Sequence, residues 1–398
     1  MKKRKTKILL WAPKGAGTHY WGPGQNAFNM YRRIDKAAYE VHLAHGSRDQ
    51  HSHSLYDSIS FIFELKSRNA LRQCIFILLS SIWVFKTKGR FDAVHVLTVH
   101  HIGFLPAVLF KIIHRVPVFI KIQSLGAGFG INSRLSKNTG FALLRRKLAG
   151  LVDGYIAISK GIYDELKDVG IPADKIFFIP NGVDSRRFKP VDMKEKKQIR
   201  NRLGIPDRFT ILFTGSIHER KNPALIAEAC TRLEGKWGDY NLLIAGPVRK
   251  NSPQIRKINE LRAKCPQLEK NIQIVGFRKN IIDFYRASDL FILPSEKEGM
   301  SNSLLEALSC GLATLTTRIS GSEDLIEDGK NGYFISRNAE SIAERIQSYM
   351  AAGQSLIDRH ALNARRTITN SYDSRRILDR YLSLFQKNRI SIEIQRPE

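Results

Sequence analysis

Two glutamates stand close together in the segment PSEKEGMSNSLLEALSCG, residues 294–311. Glu298 and Glu306 form a Glu-x7-Glu pattern that follows an apolar run typical of a buried strand and enters a stretch that predicts a helix from about residue 301. Glu298 is therefore expected just ahead of a helix N-terminus, at the carboxyl end of a strand. Doubly wound folds bind ligands at that end, and the free N–H groups of a helix N-terminus attract phosphate.

Glu306 admits two interpretations. It lies inside the predicted helix, from which its carboxylate could face a ligand at the strand end. The spacing Ser303-x-x-Glu306 also fits a capping box, in which the glutamate bonds only to the first turn of its own helix. Both interpretations, ligand binding and capping, stay open at this point.

Lys221 is the candidate cation. The run TILFTG (210–215) predicts a strand that ends in a glycine turn, and Asn222 and Pro223 suit the cap and the first position of the next helix. We expect Lys221 at the mouth of the same crevice as Glu298. A lysine beside a helix N-terminus suits a diphosphate, whereas a lone lysine is more often a solvated surface charge. The pairing with Glu298 favours the diphosphate.

A glycine-rich segment, residues 12–34, follows the first predicted strand and precedes a helix. Its glycines would let the backbone approach a phosphate; they are Gly15, Gly17, Gly22 and Gly24. The segment matches neither G-x-G-x-x-G nor a Walker loop. Glycines after a first strand are also common in simple turns, so this segment alone is weak evidence.

Short apolar runs alternate along the chain with stretches of helical periodicity. The first series is KILLWA (7–12), FDAVHVL (91–97), VFIKIQ (118–123), GYIAIS (154–159) and FFIP (177–180). The second series is TILFTG (210–215), NLLIAG (241–246), IQIVGF (272–277), LFILPS (290–295) and LATLTT (312–317). Continuous apolar runs of this length are typical of parallel strands covered by helices on both faces. The pattern predicts an α/β protein with two doubly wound, Rossmann-like domains.

The boundary between the domains is expected in the polar, strand-free segment 184–208, which contains Pro190 and Pro206. We predict an N-terminal domain over residues 1–188 and a C-terminal domain over residues 189–371. A closing helix at about 372–390 should pack back on the N-terminal domain.

The composition is that of a globular protein with an unusual charge. The 398 residues are 43% hydrophobic, and the four cysteines include no Cys-x-x-Cys pair, which fits a reducing compartment. The net charge is +27, and residues 1–190 hold 30 Lys and Arg against 12 Asp and Glu. Such an excess suits an anionic membrane surface, nucleic acid or phosphorylated substrates, although a basic surface without a particular partner is also common.

No apolar run approaches the length of a membrane span, and the N-terminal apolar stretch is better explained as a strand than as a signal peptide. We therefore expect a cytoplasmic protein. Residues 66–90 and 129–151 combine apolar or aromatic side chains with basic ones. Such segments can lie on an anionic bilayer, which favours peripheral attachment to the inner face of the cell membrane. The alternative is that both are core helices with solvated ends.

The combination of these motifs resembles the retaining glycosyltransferases of family 4, which have the GT-B fold. The resemblance rests on FIPNGVDSRRFKP (178–190), TGSIHERKNP (214–223), YRASDLFILPSEKEGMSNSLLEALSCG (285–311) and SGSEDLIEDGKNGYFI (320–335). It implies two Rossmann-like domains that face each other across a crevice. The C-terminal domain would hold a nucleoside-diphosphate sugar, and the N-terminal domain would hold the acceptor.

The resemblance also implies residue roles. Glu298 would face the hydroxyls of the donor sugar, Glu306 would hold the ribose, and Lys221 would neutralise the departing diphosphate. The other expected donor contacts are Gly24, Ser216, Phe277, Arg278, Gly299, Met300 and Ser301. No Asp-x-Asp occurs in the chain, so we expect no metal and no cofactor. Fixed positive charge would then stabilise the leaving group.

Two positions depart from the family pattern. Ser216 stands where an arginine usually lies beside the diphosphate, and Arg220 and Arg278 are the candidates to take its place. Gln123 stands where a histidine usually ends the strand near the donor sugar, and glutamine carries no proton at neutral pH. His100 and His101 follow the FDAVHVL run and could contact the acceptor, although a lone histidine there is more often structural.

The sequence thus predicts a retaining, metal-independent hexosyltransferase that acts on a glycan or lipid-linked acceptor in bacterial surface polysaccharide or glycolipid synthesis. A catalytically weak sugar-nucleotide-binding protein on the same scaffold is the alternative that Ser216 and Gln123 leave open. Nucleic acid is not expected as a partner, because the basic residues are scattered and no nucleic-acid-binding motif occurs.

Overall fold

The computed structural model describes residues 4–13, 22–46, 54–63, 70–87, 91–97, 101–126, 148–233, 239–248 and 251–386. The chain divides into two compact units: unit 1 is Met1–Gly182 with Ser374–Glu398, and unit 2 is Val183–Asp373. At the two ends of unit 2, the Val183 N–H donates to the Tyr372 carbonyl at 2.9 Å. The chain first passes from unit 1 to unit 2 after Gly182, a few residues before the boundary that the sequence predicts.

Unit 1 is built on a parallel sheet with the strand order β3-β2-β1-β4-β5-β6-β7. The strands are β1 (Thr6–Ala12), β2 (Tyr39–His45), β3 (Ser58–Phe61), β4 (Ala93–Val96), β5 (Val118–Ile122), β6 (Gly154–Ala157) and β7 (Ile176–Phe178). Its helices include α1 (Gly22–Tyr31), α2 (Ala70–Lys86), α3 (His101–His114) and α4 (Lys160–Asp168). The central strands β4, β5 and β6 are buried along their whole length, as expected for a sheet covered on both faces.

Unit 2 repeats the plan with the order β10-β9-β8-β11-β12-β13, again all parallel. The strands are β8 (Phe209–Thr214), β9 (Tyr240–Ala245), β10 (Ile272–Gly276), β11 (Leu290–Leu293), β12 (Ala313–Thr317) and β13 (Tyr333–Ile335). The helices are α5 (Met193–Leu203), α6 (Pro223–Cys230), α7 (Pro253–Lys264), α8 (Pro266–Asn271), α9 (Ile282–Ala287), α10 (Asn302–Ser309) and α11 (Ala339–Thr367). The strand order reverses between β8 and β11, and this reversal is where such sheets bind ligands.

The last described helix, α12 (Ser374–Gln386), belongs to unit 1. Its apolar face joins the core of that unit: the Tyr381 ring lies 4.9 Å from the His95 ring, and the Phe385 ring lies 5.4 Å from that of Phe119. The C-terminal helix thus covers strands β4 and β5, far from it in sequence.

All ten apolar runs that the sequence assigns to strands are strands, and the predicted fold class is confirmed. Three further strands are absent from the prediction. Strand β2 carries Glu40, His42 and His45 among its apolar residues, so it shows no continuous apolar run. Strands β3 and β13 are short edge strands, in which Ile335 is the one buried residue. None of the described helices is long and apolar enough to cross a bilayer.

Candidate active site

Lys221 and Glu298 meet at the point where the strand order of unit 2 reverses. Lys221 lies in the connection from β8 to α6, and Glu298 lies in the connection from β11 to α10. The Lys221 Nζ is 3.1 Å from the Glu298 Oε1, and both side chains are largely buried, with 13% and 12% exposed. The Ser295 hydroxyl donates to the same Oε1 at 3.2 Å. Two loops far apart in sequence therefore form one charged pair at the carboxyl edge of the sheet.

Arg220 adds a second positive charge beside Glu298. Its Nη1 is 3.7 Å from the Glu298 Oε2 and donates to the Lys297 carbonyl at 2.8 Å. The guanidinium is 44% exposed. One carboxylate thus faces two cations, and the surplus of positive charge suits a diphosphate that reaches this edge.

The backbone around the pair is shaped by two glycines. Gly215 follows β8 with φ +147°, and a Cβ there would lie 2.9 Å from the Lys221 Cδ. Gly321 has φ +79°, and its Cβ would lie 2.2 Å from the Gly299 carbonyl oxygen. Glycine at these positions allows the lysine and the Gly299 turn to lie against neighbouring backbone.

Helix α10 begins directly after the Glu298 turn. Ser301 is its N-cap residue, but the Ser301 side chain makes no capping bond; its hydroxyl lies 2.9 Å from the Ser303 hydroxyl. Met300 and Ser301 are buried, and Gly299 lies against Gly321. The positive end of the helix dipole therefore faces the same edge as Lys221, which favours an anionic ligand.

Glu306 lies on α10 and does not cap it, so the capping-box interpretation is wrong. Its Oε2 accepts a hydrogen bond of 2.9 Å from the Tyr285 hydroxyl. That hydroxyl also lies 2.6 Å from the Thr214 Oγ1. Burial raises the pKa of the Glu306 carboxyl to about 7, while the Tyr285 hydrogen bond and the charges of Arg187 and Lys221 act in the opposite direction. The residue as a whole keeps partial solvent exposure.

Asn222 occupies the predicted N-cap of α6, with Pro223 as its first residue, but the expected side-chain cap is absent. Asn222 adopts φ +47°, ψ +54°, a left-handed conformation in which its side chain makes no bond to the first turn. The Gln254 side chain instead accepts from the Ala224 N–H at 3.1 Å.

The other predicted donor contacts of unit 2 lie at the same edge but outside this cluster. Ser216 is exposed directly after Gly215. Phe277 and Arg278 follow β10, two strands from β8; Phe277 is 40% exposed, and the Arg278 Nη1 donates to the Phe277 carbonyl at 3.1 Å. Within the described residues, no hydrogen bond or ion pair joins Phe277 or Arg278 to Glu298 or Glu306.

The candidates in unit 1 lie at the carboxyl edge of its own sheet. Gly24 is buried within the first turn of α1, so Gly22 and Gly24 belong to the helix rather than to a preceding loop. Gln123 follows β5 and its Nε2 donates to the Leu97 carbonyl at 2.8 Å. His101 begins α3, but its side chain and all of His100 lie outside the described residues. Gly15 and Gly17 also lie outside them.

Three contributors to the site were not found from the sequence. Tyr285 bonds to Glu306, Thr214 bonds to Tyr285, and Ser295 bonds to Glu298. Tyr285 and Ser295 stand within the quoted segment 285–311, but nothing in their spacing shows which carboxylate they contact. In the described part of the chain, no three His, Cys, Asp or Glu side chains cluster as metal ligands would.

Comparison with known families assigns both halves of the chain. A family model described as "Glycosyltransferase Family 4" matches residues 22–187, and a model described as "Glycosyl transferases group 1" matches residues 195–367. The two matches together span most of the chain. The chain therefore belongs to the family 4 glycosyltransferases and has the GT-B glycosyltransferase fold.

Curated relatives are similar over part of their length. The UDP-Gal:alpha-D-GlcNAc-diphosphoundecaprenol alpha-1,3-galactosyltransferase of Escherichia coli is 30% identical over 55% of this chain and 56% of its own. The N,N'-diacetylbacillosaminyl-diphospho-undecaprenol alpha-1,3-N-acetylgalactosaminyltransferase of Campylobacter jejuni is 25% identical over 58% of this chain and 60% of its own. The chain thus spans somewhat more than half the length of these relatives.

Solved structures match along almost the whole chain. Anabaena HepE, solved in complex with UDP, gives a TM-score of 0.78 at 16% identity and covers 96% of this chain and 100% of its own. Sucrose-phosphate synthase from Thermosynechococcus elongatus gives 0.77 at 17% identity, over 96% of this chain and 99% of its own. At these identities the likeness shows a shared fold.

Proposed function

We propose that the protein transfers a hexose, with retention of anomeric configuration and without a metal ion, from a nucleoside-diphosphate sugar to a glycan or lipid-linked acceptor. The observation that carries the proposal is the Lys221–Glu298 pair at the reversal point of the unit 2 sheet, beside the N-terminus of α10. Family membership supports the reaction class, and the pair supplies groups that the reaction needs.

Each group has a task in this reaction. Cleavage of the anomeric C–O bond creates an oxocarbenium-like carbon and a departing diphosphate. Lys221 and Arg220 stabilise the negative charge that develops on the diphosphate, and the positive end of the α10 dipole adds to them. Glu298 lies within reach of the same charges and faces the hydroxyls of the donor sugar. Glu306 accepts hydrogen bonds from the ribose.

Uracil is the first base to test. One relative bears UDP-galactose in its name, and structural neighbours were solved with UDP and UDP-glucose. The names of the same relative and of the Campylobacter jejuni relative contain a diphosphoundecaprenol acceptor. A polyprenyl-linked glycan of bacterial surface polysaccharide synthesis is therefore the acceptor class that we propose.

Such an acceptor fits peripheral attachment to the inner face of the cell membrane. Helix α2 leaves four apolar side chains exposed along one side, at spacings of seven, four and three residues. We call this the α2 stripe: Leu71, Leu78, Ile82 and Phe85, with 67%, 60%, 39% and 63% exposed. Arg72 and Lys86 are exposed at its two ends. An apolar stripe with basic flanks, on a chain of net charge +27, suits an anionic bilayer.

A catalytically weak nucleotide-binding protein is the second candidate. Ser216 supplies no positive charge beside the diphosphate, and the Gln123 amide is bonded to the Leu97 carbonyl. Binding of a donor without transfer to any acceptor would identify this candidate.

A thermal-shift panel of UDP-, GDP-, ADP- and CMP-sugars, followed by a turnover assay with the sugar that responds, tests the proposal. A ligand at about 100 times its Kd adds about 2.7 kcal/mol to the free energy of unfolding. We expect one base to respond, and its sugar to be transferred to polyprenyl-diphosphate glycans. No response from any donor, with a cooperative unfolding transition, would contradict the proposal.

A further inference from the structure

A chain of three side chains links strand β8 to helix α10 behind the proposed nucleotide site. The Thr214 Oγ1 lies 2.6 Å from the Tyr285 hydroxyl, which lies 2.9 Å from the Glu306 Oε2. The three residues come from β8, α9 and α10, which the sequence separates widely. Thr214 and Tyr285 are both buried, so solvent does not replace these partners.

Aromatic packing holds the ring of Tyr285, whose hydroxyl bonds to Glu306. It is fully buried and packs edge-on against the Phe188 ring, at 6.0 Å and 79° between the ring planes. The Phe291 ring lies 6.1 Å away on β11. The position of the hydroxyl is therefore fixed by aromatic packing, and the hydroxyl in turn fixes one carboxylate oxygen.

The hydrogen-bond directions follow from the single proton of each hydroxyl. When Glu306 is ionised it only accepts, so Tyr285 donates to Oε2 and Thr214 donates to the Tyr285 oxygen. A bond to a carboxylate is stronger than one to a neutral acceptor, so this arrangement prevails over donation to the Ser303 carbonyl, 3.3 Å from the tyrosine oxygen. No described residue forms a hydrogen bond with Oε1. The pair thus holds one oxygen of Glu306 and leaves the other for a ligand.

We propose that Tyr285, supported by Thr214, is a positioning residue that presents the second carboxylate oxygen of Glu306 to the ribose hydroxyls of the donor. The inference rests on the proposed function and adds the device that orients Glu306. Ribose carries two vicinal hydroxyls, both able to donate, and an oriented carboxylate is their natural acceptor.

The surroundings of Glu306 agree with a carboxylate kept for binding. The charged and titratable groups that act on it are Tyr285 from α9, Arg187 from the segment before α5 and Lys221 from the loop after β8. Cys310, at the end of α10, lies near enough for Glu306 to raise its pKa. Among these only the two cations favour its ionised form from a distance, and Tyr285 is the direct partner.

The test compares nucleotides that differ only in the ribose. Calorimetry gives the Kd of UDP, 2'-deoxy-UDP and 3'-deoxy-UDP for the wild type, Tyr285→Phe and Thr214→Val; if the donor panel selects another base, the matching nucleotides are used. We expect the wild type to bind UDP about tenfold more tightly than a deoxy analogue, the effect of one lost hydrogen bond to a charged group. Tyr285→Phe should lose most of that preference, and Thr214→Val part of it. The donor KM should rise by a similar factor, with kcat little changed.

Tyr349→Phe is the matched control. Tyr349 is also a fully buried tyrosine of unit 2, and its hydroxyl lies 2.7 Å from the His360 Nδ1 on α11. This variant loses a buried hydroxyl without touching Glu306, so its ribose preference should equal that of the wild type.

The pH dependence of UDP affinity is a second measurement, which a tyrosine with a purely structural role would not change. Wild-type UDP affinity should fall as the pH drops through about 7, because Glu306 becomes protonated. The Tyr285 hydrogen bond lowers the pKa of Glu306, so Tyr285→Phe should move this midpoint upward.

The possible outcomes distinguish a failure of the positioning role of Tyr285 from a failure of the proposed function. A folded Tyr285→Phe protein with wild-type ribose preference and an unmoved pH midpoint would overturn the positioning role, and so would a wild type that binds UDP and its deoxy analogues equally. A folded wild type that binds no nucleoside diphosphate at all would overturn the proposed function itself.

Discussion

The Lys221 Nζ lies 3.1 Å from the Glu298 Oε1, so the cation proposed for the diphosphate and the carboxylate proposed for the donor sugar neutralise each other directly. A diphosphate that approaches Lys221 competes with Glu298 for the same ammonium group. Arg220, 3.7 Å from the other carboxylate oxygen, can keep Glu298 paired while Lys221 turns to the phosphate. We therefore expect the three side chains to couple binding of the leaving group to the placement of Glu298.

Substitution of Glu298 by Gln should separate binding from transfer. The amide keeps the size of the side chain and its bond from Ser295, but it loses the charge that faces Lys221 and the donor sugar. We expect a folded protein that binds UDP at least as tightly as the wild type, because Lys221 is no longer paired, and retains less than about one hundredth of the turnover. Steady-state kinetics and calorimetry check both parts. Glu296→Gln, two residues away and 64% exposed at its side chain, is the control and should transfer sugar normally. Wild-type turnover by Glu298→Gln would remove Glu298 from the reaction.

Glu306→Gln should make the protein more stable in alkaline solution. Burial raises the pKa of Glu306 in the folded protein from 4.5 to about 7, so the folded state binds the proton more tightly than the unfolded state. The stabilisation by the proton is complete below about pH 4.5 and disappears as the pH rises to about 7. Glutamine resembles the protonated form. At pH 8 the variant should therefore exceed the wild type by up to about 3 kcal/mol in free energy of unfolding, and at pH 4.5 the two should agree. Urea unfolding at the two pH values measures this difference; a variant less stable at pH 8 would contradict the effect of burial on Glu306.

Gly215→Ala should reduce activity through Lys221. The new Cβ would lie 2.9 Å from the Lys221 Cδ and 3.3 Å from its Nζ, so the lysine side chain must shift from the position in which it pairs with Glu298. We expect at least a tenfold loss of kcat/KM, on the order of 1.4 kcal/mol or more. Gly204→Ala is the matched control: φ is +66° and no atom lies within 4 Å, so it introduces backbone strain alone. Both variants should lose about 1 kcal/mol of stability, but only Gly215→Ala should lose activity. Equal activities would show that the position of Lys221 is not critical.

Acidic substitutions on the α2 stripe should weaken attachment to membranes. Leu78→Glu with Phe85→Glu places charges on two side chains that are 60% and 63% exposed, so the fold should tolerate them. Each lost apolar contact should reduce binding to phosphatidylglycerol vesicles by about tenfold. Sedimentation with vesicles of phosphatidylglycerol or of phosphatidylcholine alone checks the lipid charge. Met193→Glu, on an exposed side chain of unit 2, should bind like the wild type. If the wild type binds to neither kind of vesicle, the proposed attachment is wrong.

The parallel strands were predictable because burial on both faces leaves an uninterrupted apolar run, as in Leu290–Leu293 of β11. Strand β2 was not predictable, because Glu40 and His42 interrupt its apolar pattern. Both residues are partly exposed, and the His42 Nε2 lies 3.5 Å from the Glu40 Oε2. The sequence likewise predicted Lys221 and Glu298 at one edge, since both follow strands that end there. It could not show that Gln254, rather than Asn222, bonds to the first turn of α6, because this depends on the left-handed backbone conformation of Asn222.

The partners of Glu306 show a second limit. Its spacing from Ser303 matches a capping box, yet the carboxylate points to Tyr285 on another helix. Only the packing of α9 against β8 and α10 decides whether the Glu306 carboxylate caps its own helix or bonds to Tyr285. Local spacing therefore identified the residue but not its contacts.

The central claim is that Lys221 receives the diphosphate of a nucleotide sugar, and calorimetry of UDP against UMP measures it most directly. The wild type should prefer UDP, and Lys221→Ala should lose about 2–4 kcal/mol of that binding while its UMP affinity changes little. Lys257→Ala, which removes an exposed lysine paired to Glu228 at 2.6 Å, should keep the wild-type preference. A Lys221→Ala protein that still distinguishes UDP from UMP as the wild type does would contradict the account.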